Sequence, residues 1–83
     1  MAIRLHPHAR ERLAERGATE TEVVATVSQG SSFAAKFGRT GFRRNFPFGE
    51  HWHGSYYANK RVVAYAVREG QDWLVITVVT KFF

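Results

Sequence analysis

The sequence predicts an α+β domain in which two N-terminal helices pack on one face of a three- or four-stranded antiparallel sheet. Three observations carry that expectation. The first third of the chain is punctuated by helix start and stop signals, the last third is dense in β-branched and aromatic residues, and the strand candidates are joined by short links. With 83 residues there is room for one domain, 1–83, and one modest core. Folding at this size buries only about 60% of the unfolded chain's surface, so each large apolar side chain counts.

The first helix is expected over residues 7–16. Pro7 suits an opening helical position, where its missing N–H is not needed, good helix formers follow, and Gly17 supplies the stop. The second helix is expected over 20–29. Thr19 and Glu22 form a capping box, Ala18 and Val23 flank it as a hydrophobic staple, and Glu20 and Glu22 favour the positive end of the helix dipole. Val23, Val24 and Val27 make its buried stripe, and Gly30 ends it.

The sheet is expected over about 33–81. Ser31 to Phe37 is a weak strand, followed by a turn at Gly38 to Gly41. Phe42 to Phe48 is a second strand, which Pro47 places at an edge or ends early. His51 to Ala58, Arg61 to Arg68 and Trp73 to Lys81 are the strongest strands, with hairpin turns at Asn59-Lys60 and at Gly70 to Asp72.

Composition narrows the function classes. A hydrophobic fraction of 45% with 7 Phe, 3 Tyr and 2 Trp excludes a disordered tail. Without Cys there is no disulfide framework, no Cys-based zinc site and no thiol nucleophile. The longest apolar stretch, Leu74 to Val79 and interrupted by Thr77, falls well short of the roughly 18 residues of a membrane span. The opening MAIRLHPHAR has early charge and no apolar core of a signal peptide, so a cytoplasmic protein with no membrane partner is expected. No P-loop, GxGxxG, GxSxG or HExxH pattern is present, and neither a cofactor nor a metal is expected.

Charge points to polyanions. Lys plus Arg is 12 against 7 for Asp plus Glu, a net +5. Lys36, Arg39, Arg43 and Arg44 fall in a stretch without a carboxylate between Glu22 and Glu50. They alternate with Phe33, Phe37, Phe42, Phe46 and Phe48, a pattern able to combine phosphate attraction with base stacking. The alternative is that the rings are core and the cations only solvate the other face.

On a helical wheel Leu5, Ala9 and Leu13 define the inner stripe of the first helix. His8, Arg12 and Arg16 form a row beside it, and arginines at the margin of a packed face need carboxylates, carbonyls or a bound anion. On a strand His51, His53, Ser55 and Tyr57 would share one face. Imidazoles there could move protons near neutral pH, or bind zinc if a third ligand joined them. Lys81 closes the last strand, where a cation could reach a phosphate. Phe82 and Phe83 are expected to cover the core edge or to pair with another chain as a homodimer.

The segment HARERLAERGATETEV, His8 to Val23, together with VITVVT, Val75 to Thr80, resembles a bacterial family of small domains of unknown function with a His-Ala-x-x-Arg-x-x-x-Arg-Gly helix. That family is similar in architecture to the RelE, colicin and barnase-like toxin ribonucleases. The resemblance implies a metal-independent RNA-cleaving or RNA-binding fold, with RNA and a cognate antitoxin as partners. His8, Arg12, Arg16 and Thr80 match its pattern; His51 and His53 inherit nothing from it. The reading that follows is a small basic RNA-binding protein of the toxin ribonuclease type. His8 would transfer protons, Arg12 and Arg16 would clamp phosphate, and Lys81 with Arg43 or Arg44 would assist. The alternative is a non-catalytic nucleic-acid- or protein-binding module built on Lys36, Arg39, Arg43, Arg44, His51 and His53.

Overall fold

The structure is a computed structural model and describes residues 1–83. It corrects the expected architecture. The sheet is five-stranded and mixed, in the order β1-β5-β4-β3-β2, and the helices are three short ones. The strands are β1 (Ile3–Leu5), β2 (Ser31–Ala34), β3 (Thr40–Trp52), β4 (Ser55–Glu69) and β5 (Asp72–Phe82). The helices are α1 (Pro7–Glu11), α2 (Leu13–Arg16) and α3 (Glu20–Gln29).

The fifth strand is the one at the N-terminus, ahead of the helix expected over 7–16. Ile3 and Leu5 turn inward around an outward Arg4, a period of two too short to stand out in the sequence. β1 runs parallel to β5, with Ile3 opposite Trp73 and Leu5 opposite Val75. It is fastened by the Ala2 N–H donating to Asp72 Oδ1 (2.9 Å) and by the Arg4–Glu69 pair (2.6 Å). Leu5 thus belongs to the sheet, not to the first helix. The expected helix over 7–16 is also divided: Arg12 sits at φ −92°, ψ −4°, and its N–H bonds back three residues to Ala9 O. α3 is the regular helix, and its capping box is complete, with Glu22 N–H donating to Thr19 Oγ1 (3.1 Å) and Thr19 N–H donating to Glu22 Oε1 (2.9 Å).

The hairpin turns are also redistributed. His53 (φ 48°) and Gly54 (φ 84°) form the β3–β4 connection, a two-residue loop with both centres left-handed, whose twist matches that of the strands it joins. The segment from His51 to Ala58 is therefore a hairpin tip and not a strand. Asn59-Lys60 lies inside β4, where Asn59 exchanges backbone hydrogen bonds with Phe83 (2.8 and 3.0 Å). Pro47 does not end β3. β2 reaches only to Arg43, so from Arg44 onward β3 is an edge that tolerates a residue without an N–H. Gly49, at φ 63°, supplies the left-handed residue of the bulge between Pro47 and Glu50.

One face of the sheet is covered. Phe42, Val62, Ala64, Ala66, Val75 and Val78 form a single cluster with Leu13, Ala18, Val23 and Val27 from the helical segment. Under that layer lies a cation. Lys60 is only 5% exposed; its ammonium donates to Gly17 O (2.9 Å) and Glu22 Oε1 (2.8 Å) and sits 5.2 Å from the centre of the Phe48 ring. One carboxylate thereby caps α3 and neutralises a charge from the middle of the sheet. Gly17 (φ 71°) passes so close to Phe82 and Trp52 that a Cβ there would lie 2.8 and 2.9 Å from their rings.

Removing one partner of a buried ion pair strands the other charge. Glu22→Ala is expected to lower unfolding free energy by about 3–5 kcal/mol in urea titration. Lys60→Met is expected to cost clearly less, because the Glu22 left behind is partly exposed and keeps the Thr19 N–H. A loss below about 1 kcal/mol for Glu22→Ala would show that the ion pair is not what holds the layers together.

Candidate nucleic-acid interface

Three depressions mark the surface, and carboxylates line none of them. The first arises because β1 stops at Leu5 while β5 continues to Phe82. Beyond Val75 the edge of β5 has no strand beside it, and α1 and α2 pack there instead. His8, Arg12 and Arg16 face Ile76, Thr77 and Val78 across a cleft of about 180 Å³. Ile76 is the extra residue of a β5 bulge, since Tyr65 pairs with Thr77 and Ala66 with Val75. Bulges of this kind re-aim side chains beside functional sites.

The sequence row His8, Arg12, Arg16 therefore converges in one place. Arg12 is half exposed and reaches Glu15 only at 3.8 Å. Arg16 is partly buried and has no carboxylate partner; its Nε is buried without a hydrogen-bond acceptor. A guanidinium N–H in that condition is costly unless an acceptor arrives. The helix that carries it is held down by Thr80, whose hydroxyl donates to Arg16 O.

The second depression, of about 420 Å³, is lined by Arg43, Arg44 and Arg61 with Asn45, Gln29 and Ser31. Arg44 Nη1 donates to Gln29 Oε1 (2.6 Å), and Arg61 Nε donates to Asn45 Oδ1 (2.9 Å). Neutral partners orient these guanidinium groups and leave their charge uncancelled. Arg61 and Asn45 went unnoticed in the sequence. A turn at His53-Gly54 with one bulged residue brings them into register, and the misplaced turn hid that pairing.

The third depression lies on the sheet face away from the helices. Phe33, Gly41, Tyr65 and Thr77 are register partners across β2, β3, β4 and β5. Gly41 has no side chain, so the Phe33 ring lies over it and meets Tyr65 edge-on, centres 6.1 Å apart. Lys36, Phe37 and Arg39 complete a depression of about 440 Å³.

The remaining expected site residues do not join the cleft. Lys81 is exposed on β5 opposite Arg61 and lines none of the three depressions, because the strand's alternation turns Thr80, not Lys81, toward α2. His51 and His53 are exposed at the hairpin tip and do not share a strand face. His51 meets Tyr56 edge-on, and His53 stacks on Trp52 with centres 4.4 Å apart. Nowhere do three or more His, Asp or Glu side chains converge as a metal-holding group. Phe82 lies under Trp52 (5.0 Å) and Phe48 (4.9 Å), which leaves Phe83 as the exposed end of the aromatic tail. No helix is long and apolar enough to cross a membrane.

Comparison with family models, with curated proteins and with solved structures finds no match to this chain.

Thr80→Val removes the hydrogen bond that holds α2 on β5. It is expected to cost about 1 kcal/mol and to lower the unfolding midpoint by roughly 4–8 °C in calorimetry. An unchanged midpoint would show that the helix is held by packing alone.

Proposed function

We propose that the protein binds RNA, holding backbone phosphates in the His8–Arg12–Arg16 cleft and in the Arg43–Arg44–Arg61 basin. The observation that carries this reading is the distribution of charge: each depression is lined by cations and by no carboxylate. Three acids are used elsewhere, Glu69 on Arg4, Glu20 on Arg10 and Glu22 on Lys60, and Glu15 reaches the cleft's Arg12 only at 3.8 Å. Cations left free around concave sites attract polyanions and release counterions on binding. The His-Ala-x-x-Arg-x-x-x-Arg-Gly resemblance supports the same reading.

A second reading adds cleavage, favoured by the presence of an imidazole beside two guanidinium groups in one cleft. His8 would take the 2′-hydroxyl proton as that oxygen attacks the adjacent phosphorus. The bond to the 5′-oxygen breaks, a 2′,3′-cyclic phosphate forms, and water at the open mouth protonates the leaving oxygen; the resulting hydroxide takes back the proton from His8. Arg12 and Arg16 would stabilise the charge of the phosphorane. A cognate protein inhibitor of such a toxin-type ribonuclease would offer carboxylates to the same cleft.

Binding is expected to weaken steeply with salt, with a slope of about −0.7 in log K against log salt for each phosphate held on a single strand. The double variant Arg12→Ala/Arg16→Ala should flatten that slope by about 1.4 in filter-binding titrations. Failure to bind any RNA at low salt would end the proposal. Under the second reading His8→Ala abolishes cleavage in chelator while retention on RNA stays the same; intact RNA with the native protein, with and without divalent metal, would remove cleavage alone.

A further inference from the structure

The aromatic depression on the open sheet face differs from the two phosphate sites in kind. Its walls are the rings of Phe33, Phe37 and Tyr65, and its rim carries Lys36 and Arg39. Phe37 is 86% exposed, and its backbone is left-handed at φ 62°. A bulky residue in that conformation is a genuine outlier, and burial does not account for it. The turn holds the ring out in solvent at the mouth of the depression, with the Arg39 guanidinium 5.9 Å from its centre.

The depression is also contiguous with both phosphate sites. Thr77 lines it and lines the His8–Arg12–Arg16 cleft on the other side of β5. Phe33 forms one wall, and the Arg43 guanidinium of the neighbouring basin lies 5.6 Å from the centre of that ring. Rings are thus placed between two groups of cations along one surface. Single-stranded nucleic acid is recognised by this combination, since each base has a face to stack and each linkage a charge to neutralise. A volume of about 440 Å³ lies within the roughly 300–1,000 Å³ of ordinary small-molecule sites.

We propose that the Phe33–Phe37–Tyr65 depression receives an unpaired nucleobase of an RNA strand, Phe37 closing over its face, while the flanking arginines hold that strand's phosphates. The inference rests on the RNA-binding reading and adds a substrate class to it: single strands are preferred, because a paired base cannot leave its stack to enter. A protein partner would need an aromatic side chain flanked by acids to fit the same place.

The test is fluorescence anisotropy of the full chain with labelled oligo-uridine, oligo-adenosine and a duplex RNA of equal length. Phe37 is exposed, so its replacement leaves the core intact. Phe37→Ala is expected to weaken single-strand binding about 10- to 100-fold, the worth of one stacked base. Duplex binding and the salt slope should not change, and Phe37→Trp should restore affinity. Arg43→Ala should instead flatten the salt slope by about 0.7. If Phe37→Ala binds single strands as the native protein does while Arg43→Ala still flattens the slope, the base site is wrong and RNA binding stands. If no RNA binds at low salt, both fall. A Phe37-dependent affinity for an acidic aromatic peptide, without one for RNA, would overturn the base site in favour of a protein partner.

Discussion

The fold depends on one buried ammonium group. Lys60 comes from the middle of β4, and its two hydrogen bonds reach the carbonyl that ends α2 and the carboxylate that caps α3. Beyond the Phe48 ring that it faces, the fully buried side chains of the core are small. Val23, Val62, Val75 and Thr26 are the largest that are fully buried, and Ala64 and Ala66 floor the layer. A core in which only Leu5, Leu13 and Phe42 are larger than valine lets helices lie close on a sheet but buries little area per residue. The polar knot fixes where the helices land, and with them the row of His8, Arg12 and Arg16.

Local signals in the sequence were reliable where one residue pair decides the outcome. The capping box of Thr19 and Glu22 and the turn at Gly70 are of that kind. The alternation of Phe and Arg divides: Phe42 is core, Phe46 packs against it, Phe48 lies on Phe82, and only Phe33 and Phe37 line the open face. Signals that needed a partner were misread. Ile3 to Leu5 is a strand only because β5 lies beside it, and Asn59-Lys60 has the composition of a turn but is held straight by Pro47 and Phe83 on either side. His53-Gly54 is an unusual turn pair, and missing it turned a hairpin tip into a strand. The cleft was readable as a helical row, yet its floor, Ile76 to Val78, could be placed only once the bulge in β5 was known. Lys81 does close the last strand, but side-chain alternation sends it to the face opposite Thr80.

The two faces of the sheet divide the work of the charges. Carboxylates collect on and around the helices, where they cap, pair and neutralise. The open face and the free strand edges keep arginines whose partners are amides, carbonyls and rings: Arg43 on Phe33, Arg44 on Phe46, Arg61 on Asn45. A guanidinium stacked on a ring retains its full charge and loses little freedom on meeting an anion. The net charge of +5 is thus concentrated where the molecule is concave.

The parallel pairing of β1 with β5 joins residue 3 to residue 73. During synthesis the first strand made must wait, without a hydrogen-bonding neighbour, until the ribosome has delivered nearly the whole domain. α1 and α2, which hang from that strand, acquire their seat on β5 at the same moment. The cleft is therefore absent until residues 73 to 78 have joined the sheet, so it cannot form from local contacts alone.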